Sequence, residues 1–110
     1  MGFFDFLKGP DISHGVKDYQ ATPSAVLLDV RTPEEYREGH IPGAINIPNE
    51  TIGTEDIPEL PDIEQLILVY CRSGNRSKQA SEKLVKLGYT NIVEFGGIND
   101  WTGETVSGEA

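Results

Sequence analysis

Four segments of the chain are apolar at nearly every position and are bounded by glycine, proline or polar clusters. They are Ala25-Val26-Leu27-Leu28-Asp29-Val30, Ala44-Ile45-Asn46-Ile47, Leu66-Ile67-Leu68-Val69-Tyr70 and Asn91-Ile92-Val93-Glu94-Phe95, and they read as strands. Between them the pattern changes to helical spacing. Residues 11–20 form a short helix with Asp11 or Ser13 as cap and Val16 and Tyr19 on one face. Thr32-Pro33-Glu34-Glu35 combines an N-cap threonine, a first-turn proline and a glutamate three residues on, a capping box, and Gly39 is expected to end that helix. The strongest helical pattern is residues 77–87, where Ala80, Leu84 and Leu87 align, Glu82 and Lys86 pair one turn apart, and Gly88 stops the helix.

The remaining stretches read as connections. Ile41-Pro42-Gly43 is a turn, and residues 49–64, with Gly53, Pro58 and Pro61, are a long link holding one helical turn. Gly96-Gly97 is a tight bend, residues 98–101 a turn or short helix, and the polar residues 102–110 are expected to fray. Strands that alternate with helices and are apolar throughout imply an α/β fold: a mostly parallel sheet with helices on both faces. Such sheets bind ligands beyond the carboxyl ends of their strands. Cys71 lies at one such end and Asp29 to Arg31 at another, so one rim of the sheet is expected to carry both.

At 110 residues the chain suits a single core. The longest apolar run, Leu66 to Cys71, is far short of a membrane span. Met1-Gly2-Phe3-Phe4-Asp5-Phe6-Leu7-Lys8 is too short and too acidic for a signal peptide, and Phe6 stands where myristoylation needs serine or threonine. Its phenylalanines are expected to pack rather than to stack on a ligand. A single cysteine with no export signal points to the cytoplasm. The net charge of −9 argues against nucleic acid as a partner. Residues 49–66 carry Glu50, Glu55, Asp56, Glu59, Asp62 and Glu64 without a lysine or arginine and read as solvated loop. Residues 71–86 instead hold Arg72, Arg76, Lys78, Lys83 and Lys86 against Glu82, so a small anion repelled by the whole would be attracted there.

Cys71 opens the segment Cys71-Arg72-Ser73-Gly74-Asn75-Arg76-Ser77, between a buried strand and a helix start. Free cysteine is most often a small buried hydrophobe. Here Gly74 permits a positive φ and Asn75 tolerates one, so successive N–H groups can turn inward as an anion nest. Arg72 and Arg76 add fixed charge at its rim. A thiolate, the reactive form, is stabilised in that setting. The segment therefore supports a reactive-cysteine anion pocket without naming the anion. Two histidines and one cysteine at scattered positions offer no metal-ligand spacing.

Four motifs in order, Asp29-Val30-Arg31, Glu35-Tyr36-Arg37-Glu38-Gly39-His40-Ile41-Pro42-Gly43-Ala44, the Cys71 to Ser77 loop and Gly96-Gly97-Ile98-Asn99-Asp100-Trp101, resemble the single-domain rhodanese family. The resemblance covers residues 11–106, leaving 1–10 as an extension and 107–110 as a tail. It implies a three-layer fold on a five-stranded sheet, one strand being short and near the N-terminus. It also implies a sulfurtransferase without cofactor, in which Cys71 carries sulfane sulfur as a persulfide cradled by residues 72–77. The partners implied are a small anionic donor such as thiosulfate and an external acceptor: cyanide, a thiol or a protein. Asp29, Arg31 and His40 are expected to be structural supports. Two alternatives stand beside this reading. One is a non-catalytic rhodanese-like binding module, against which the intact cysteine loop tells. The other is a cysteine phosphatase or arsenate reductase, whose loops resemble this one but carry five residues between cysteine and arginine rather than the four between Cys71 and Arg76.

Overall fold

The structure, a computed structural model, describes residues 12–108. The phenylalanines Phe3, Phe4 and Phe6 and the Asp11 cap lie outside the described residues. The elements in chain order are α1 (Ile12–Ala21), β1 (Val26–Asp29), α2 (Pro33–Glu38), β2 (Ile45–Asn46), β3 (Ile67–Cys71), α3 (Asn75–Lys86) and β4 (Ile92–Gly97). Single 3₁₀ turns occupy Asn49–Thr51 and Ile98–Asp100. The strands form one sheet in the order β2-β1-β3-β4, every pair parallel. Four strands are thus found among the described residues where five were expected. The fifth, expected to be short and near the N-terminus, is not among them.

Burial on both faces explains why β3 is apolar at every position. Its side chains alternate between two cores. Leu68 and Tyr70 join Leu27, Phe95 and the α1 residues Ile12 and Val16 on one face. Ile67, Val69 and Cys71 join Leu28, Val30 and the α3 residues Ala80 and Leu84 on the other. Gly15 lets α1 lie directly on the Phe95 ring, since a β-carbon there would press into it.

Helix α2 begins as the sequence requires. Glu35 N–H donates to Thr32 Oγ1 at 3.2 Å, and Thr32 N–H donates to Glu35 Oε1 at 3.0 Å. It ends at Gly39 as expected, but without the usual cap conformation. Gly39 has φ 170°, an extended backbone open to any residue, so no left-handed glycine cap closes the helix. The acidic link leaves all six carboxylates exposed but is pinned by buried Ile52 and Leu60, by Tyr89 Oη donating to Leu60 O at 2.6 Å, and by Lys83 Nζ donating to Asn49 O at 2.9 Å.

Two further readings need correction. The C-terminal segment is not frayed throughout, because Val106 exchanges backbone hydrogen bonds with His40 at 2.8 and 2.9 Å, and Gly108 N–H donates to Arg37 O at 2.8 Å. Gly96-Gly97 is not a bend after the strand. Both glycines belong to β4, where Val69 pairs with Glu94 but Cys71 pairs with Gly97, so β4 carries one extra residue, a bulge at Phe95-Gly96.

Candidate active site

Parallel register carries the functional residues to one rim. Asp29 pairs with Tyr70 across β1 and β3, which sets the Asp29-Val30-Arg31 corner beside Cys71 at the end of β3. Within the corner, Arg31 Nη2 donates to Asp29 Oδ2 at 2.6 Å and to Gly39 O at 2.7 Å. Asn46 Nδ2 bonds the carbonyls of both Asp29 and Arg31 at 3.0 Å. Burial alone would lower the Arg31 pKa, but the Asp29 hydrogen bonds and charge hold it above its ordinary value. These contacts tie strand ends to the loop after α2. His40 is fully buried, its Nδ1 lies 2.8 Å from Tyr36 O, and its ring stacks on Tyr36 with centroids 3.7 Å apart. The Asp29, Arg31 and His40 side chains therefore make structural contacts.

Cys71 is 1 % exposed, and its sulfur points toward the loop that follows it. Gly74 N–H donates to Cys71 Sγ at 3.0 Å, and Ser77 Oγ lies 3.5 Å from the same sulfur. The turn that achieves this needs Gly74, whose φ of 112° is left-handed. Helix α3 starts at Asn75, two residues before the apolar periodicity begins, so Asn75, Arg76 and Ser77 form its first turn. Burial pushes the Cys71 thiol up, but hydrogen bonding by Ser77 and by the backbone N–H groups of Gly74 and Ser73 outweighs it and leaves the pKa below its ordinary value. A sulfur anion is favoured at the floor of this loop.

The two arginines are not free rim charges. Arg76 grips Glu35 with both terminal nitrogens, at 2.7 and 3.1 Å, and Arg72 Nε lies 3.3 Å from the same carboxylate. The Arg76 hydrogen bond, helped by Thr32, overcomes burial and holds the Glu35 carboxyl down to about 2. Lys83 bonds Asn49 rather than the loop. The sequence marks Glu35 as a capping residue and as the head of the second motif, not as the partner of two arginines. Glu94 belongs to none of the four motifs, yet its Oε2 lies 2.6 Å from Ser77 Oγ and accepts Gly96 N–H at 3.0 Å. Gly97 is needed for close approach, since a β-carbon there would collide with the Arg72 carbonyl. Among the described residues, no group of three or more His, Cys, Asp or Glu residues is placed to hold a metal ion, and no helix is long and apolar enough to cross a membrane.

A parallel sheet with helices on both faces, and a cysteine at a strand end enclosed by a tight amide-lined loop, fits the family that the four motifs resemble. The comparisons agree. The family model described as a rhodanese-like domain matches residues 14–104. The thiosulfate sulfurtransferase PspE of Escherichia coli is 41% identical over 73 residues, covering 66% of this chain and 70% of PspE. The thiosulfate sulfurtransferase GlpE of Pseudomonas entomophila is 36% identical over 91 residues, covering 78% and 82%. A solved structure described as an E. coli rhodanese with anions superposes with a TM-score of 0.69 at 38% identity, covering 76% of this chain and 99% of that one. The chain belongs to the rhodanese-like domain family.

Proposed function

We propose that the protein moves sulfane sulfur from thiosulfate to an external thiophile through a persulfide on Cys71. In the first half-reaction the Cys71 thiolate attacks the outer sulfur of the donor. The donor's S–S bond breaks, sulfite leaves with the electron pair, and a Sγ–S bond forms. In the second, a nucleophilic acceptor attacks the outer sulfur and Cys71 departs as thiolate. The cycle needs no outside oxidant or reductant and follows ping-pong kinetics. The amides of Ser73, Gly74 and Ser77 supply fixed donors to anionic sulfur, and Arg72 and Arg76 flank the mouth as a charge pair with Glu35. The observation that carries this reading is the Gly74 N–H donated to the Cys71 sulfur at 3.0 Å from a left-handed glycine.

With one cysteine in the sequence, no second thiol of this chain resolves the persulfide, so the acceptor is external: cyanide in an assay, a thiol or protein in the cell. A reducing compartment such as the cytoplasm keeps that thiol available. The test is intact mass after incubation with thiosulfate. The expected result is a gain of one sulfur atom, discharged by cyanide and absent in Cys71→Ala. No adduct, or an adduct retained in Cys71→Ala, would overturn the assignment. Cys71-dependent hydrolysis of an aryl phosphate would replace it with phosphatase chemistry.

A further inference from the structure

Ser77 is wholly buried, and its hydroxyl has one hydrogen for several neighbours. Gly74 O stands at 3.0 Å, Gly96 O at 3.5 Å, Cys71 Sγ at 3.5 Å and Glu94 Oε2 at 2.6 Å. A hydroxyl-to-carboxylate bond of that length is charge-assisted and is the strongest of the four. With the hydrogen committed there, the hydroxyl turns lone pairs toward Cys71. It then accepts from a thiol S–H and offers nothing to a thiolate.

Glu94 is held for this task by the bulge in β4. The extra residue brings Gly96 to φ 102°, and its N–H donates to Glu94 Oε2 at 3.0 Å, fixing the carboxylate against Ser77. The other charged groups around this pair are Arg72 and Arg76 with Glu35 on the loop side, and Glu82 and Lys86 of α3, which share a groove with Glu94.

We propose that Glu94 is a positioning residue that sets the proton affinity of Cys71 by competing with the sulfur for the single Ser77 hydroxyl hydrogen. While Glu94 holds the hydrogen, anionic sulfur is stabilised by backbone amides alone. When Glu94 releases it, the hydroxyl turns and adds a fourth donor. Resting on the persulfide reading above, the same competition weakens the hold on a loaded sulfur anion and favours its delivery over its storage.

Thiolate absorbance in the ultraviolet, followed against pH, tests this directly, because Cys71 is the sole cysteine. Glu94→Gln keeps the shape and removes the charge, and the Cys71 titration midpoint is expected to fall by about one pH unit. Ser77→Ala alone is expected to move the midpoint by less than about 0.3 unit, and in the Glu94→Gln background to cancel most of the fall. An unchanged or raised midpoint in Glu94→Gln overturns the proposal. So does an equal fall with Ser77→Ala present, since the charge would then act through space without the hydroxyl. A rise of about one unit in Ser77→Ala alone also overturns it, because the hydroxyl would already be donating to sulfur, and this arm decides the matter if Glu94→Gln does not fold. No sulfur donor enters the titration, so its outcome is independent of whether sulfur transfer occurs.

Discussion

A sulfur at 1 % exposure ionises only where donors replace the lost water, and the loop supplies them from backbone amides rather than from its arginines. Arg76 spends its two terminal nitrogens on Glu35, so the loop's net rim charge is smaller than its composition suggests. That ion pair joins α3 to α2, and it has a pH signature. The Glu35 carboxyl is held from 4.5 down to about 2 in the fold. A depressed carboxylate pKa stabilises the native state above the unfolded value and ceases to do so as pH falls through the folded one. Arg76 is partly exposed, so solvent screening limits the contribution to about 1–2 kcal/mol. Glu35→Gln is therefore expected to lower urea stability by that amount above pH ~5, with the gap to wild type closing as pH approaches ~2. A gap that stays constant across this range would show that the ion pair is not its source.

At the scale of elements, the chain was legible where one signal governed one element. The apolar runs at Leu27 and Leu68 gave buried strands, and Thr32 with Glu35 gave a helix start. It was less legible where one residue serves two elements. Residues Asn75 and Arg76 carry no apolar period, so periodicity alone starts the helix two residues late, whereas the left-handed Gly74 starts it at Asn75. Val106 looked like part of a polar tail because its partner, the His40 backbone, lies far away in sequence. Glu94 reads as one polar position in an apolar strand, and its register opposite Val69 sets it against α3, where it meets Ser77. The bulge itself depends on small residues. Gly97 lies against the Arg72 carbonyl and Ser73, and a methyl group there must push β4 or the loop aside. Gly97→Ala is expected to cost about 2 kcal/mol of stability and to reduce sulfur transfer by more than Gly53→Ala, where nothing lies within 4 Å of the added atom. Equal activity in the two variants would mean the loop does not lean on β4.

For the molecule as a whole, the charge distribution sets two fields against each other. The net charge is −9, and the six exposed carboxylates of the acidic link lie on one surface segment, while Arg72 and Arg76 stand at the loop beside Glu35. The Debye length decides which field an approaching anion meets. At 0.01 M salt it is about 30 Å, beyond the 13.3 Å radius of gyration, so the donor meets the whole negative charge. At 0.15 M it shrinks to about 8 Å, and the loop's own charges prevail. Raising salt over this range is therefore expected to increase kcat/KM for thiosulfate roughly threefold, with kcat little changed because the loaded site is already shielded. Initial rates at donor concentrations well below KM, in a salt whose anion does not compete at the loop, provide the measurement. A fall in kcat/KM across the same range would mean that Arg72 and Arg76 govern capture from a distance, and that the acidic link lies outside the donor's path.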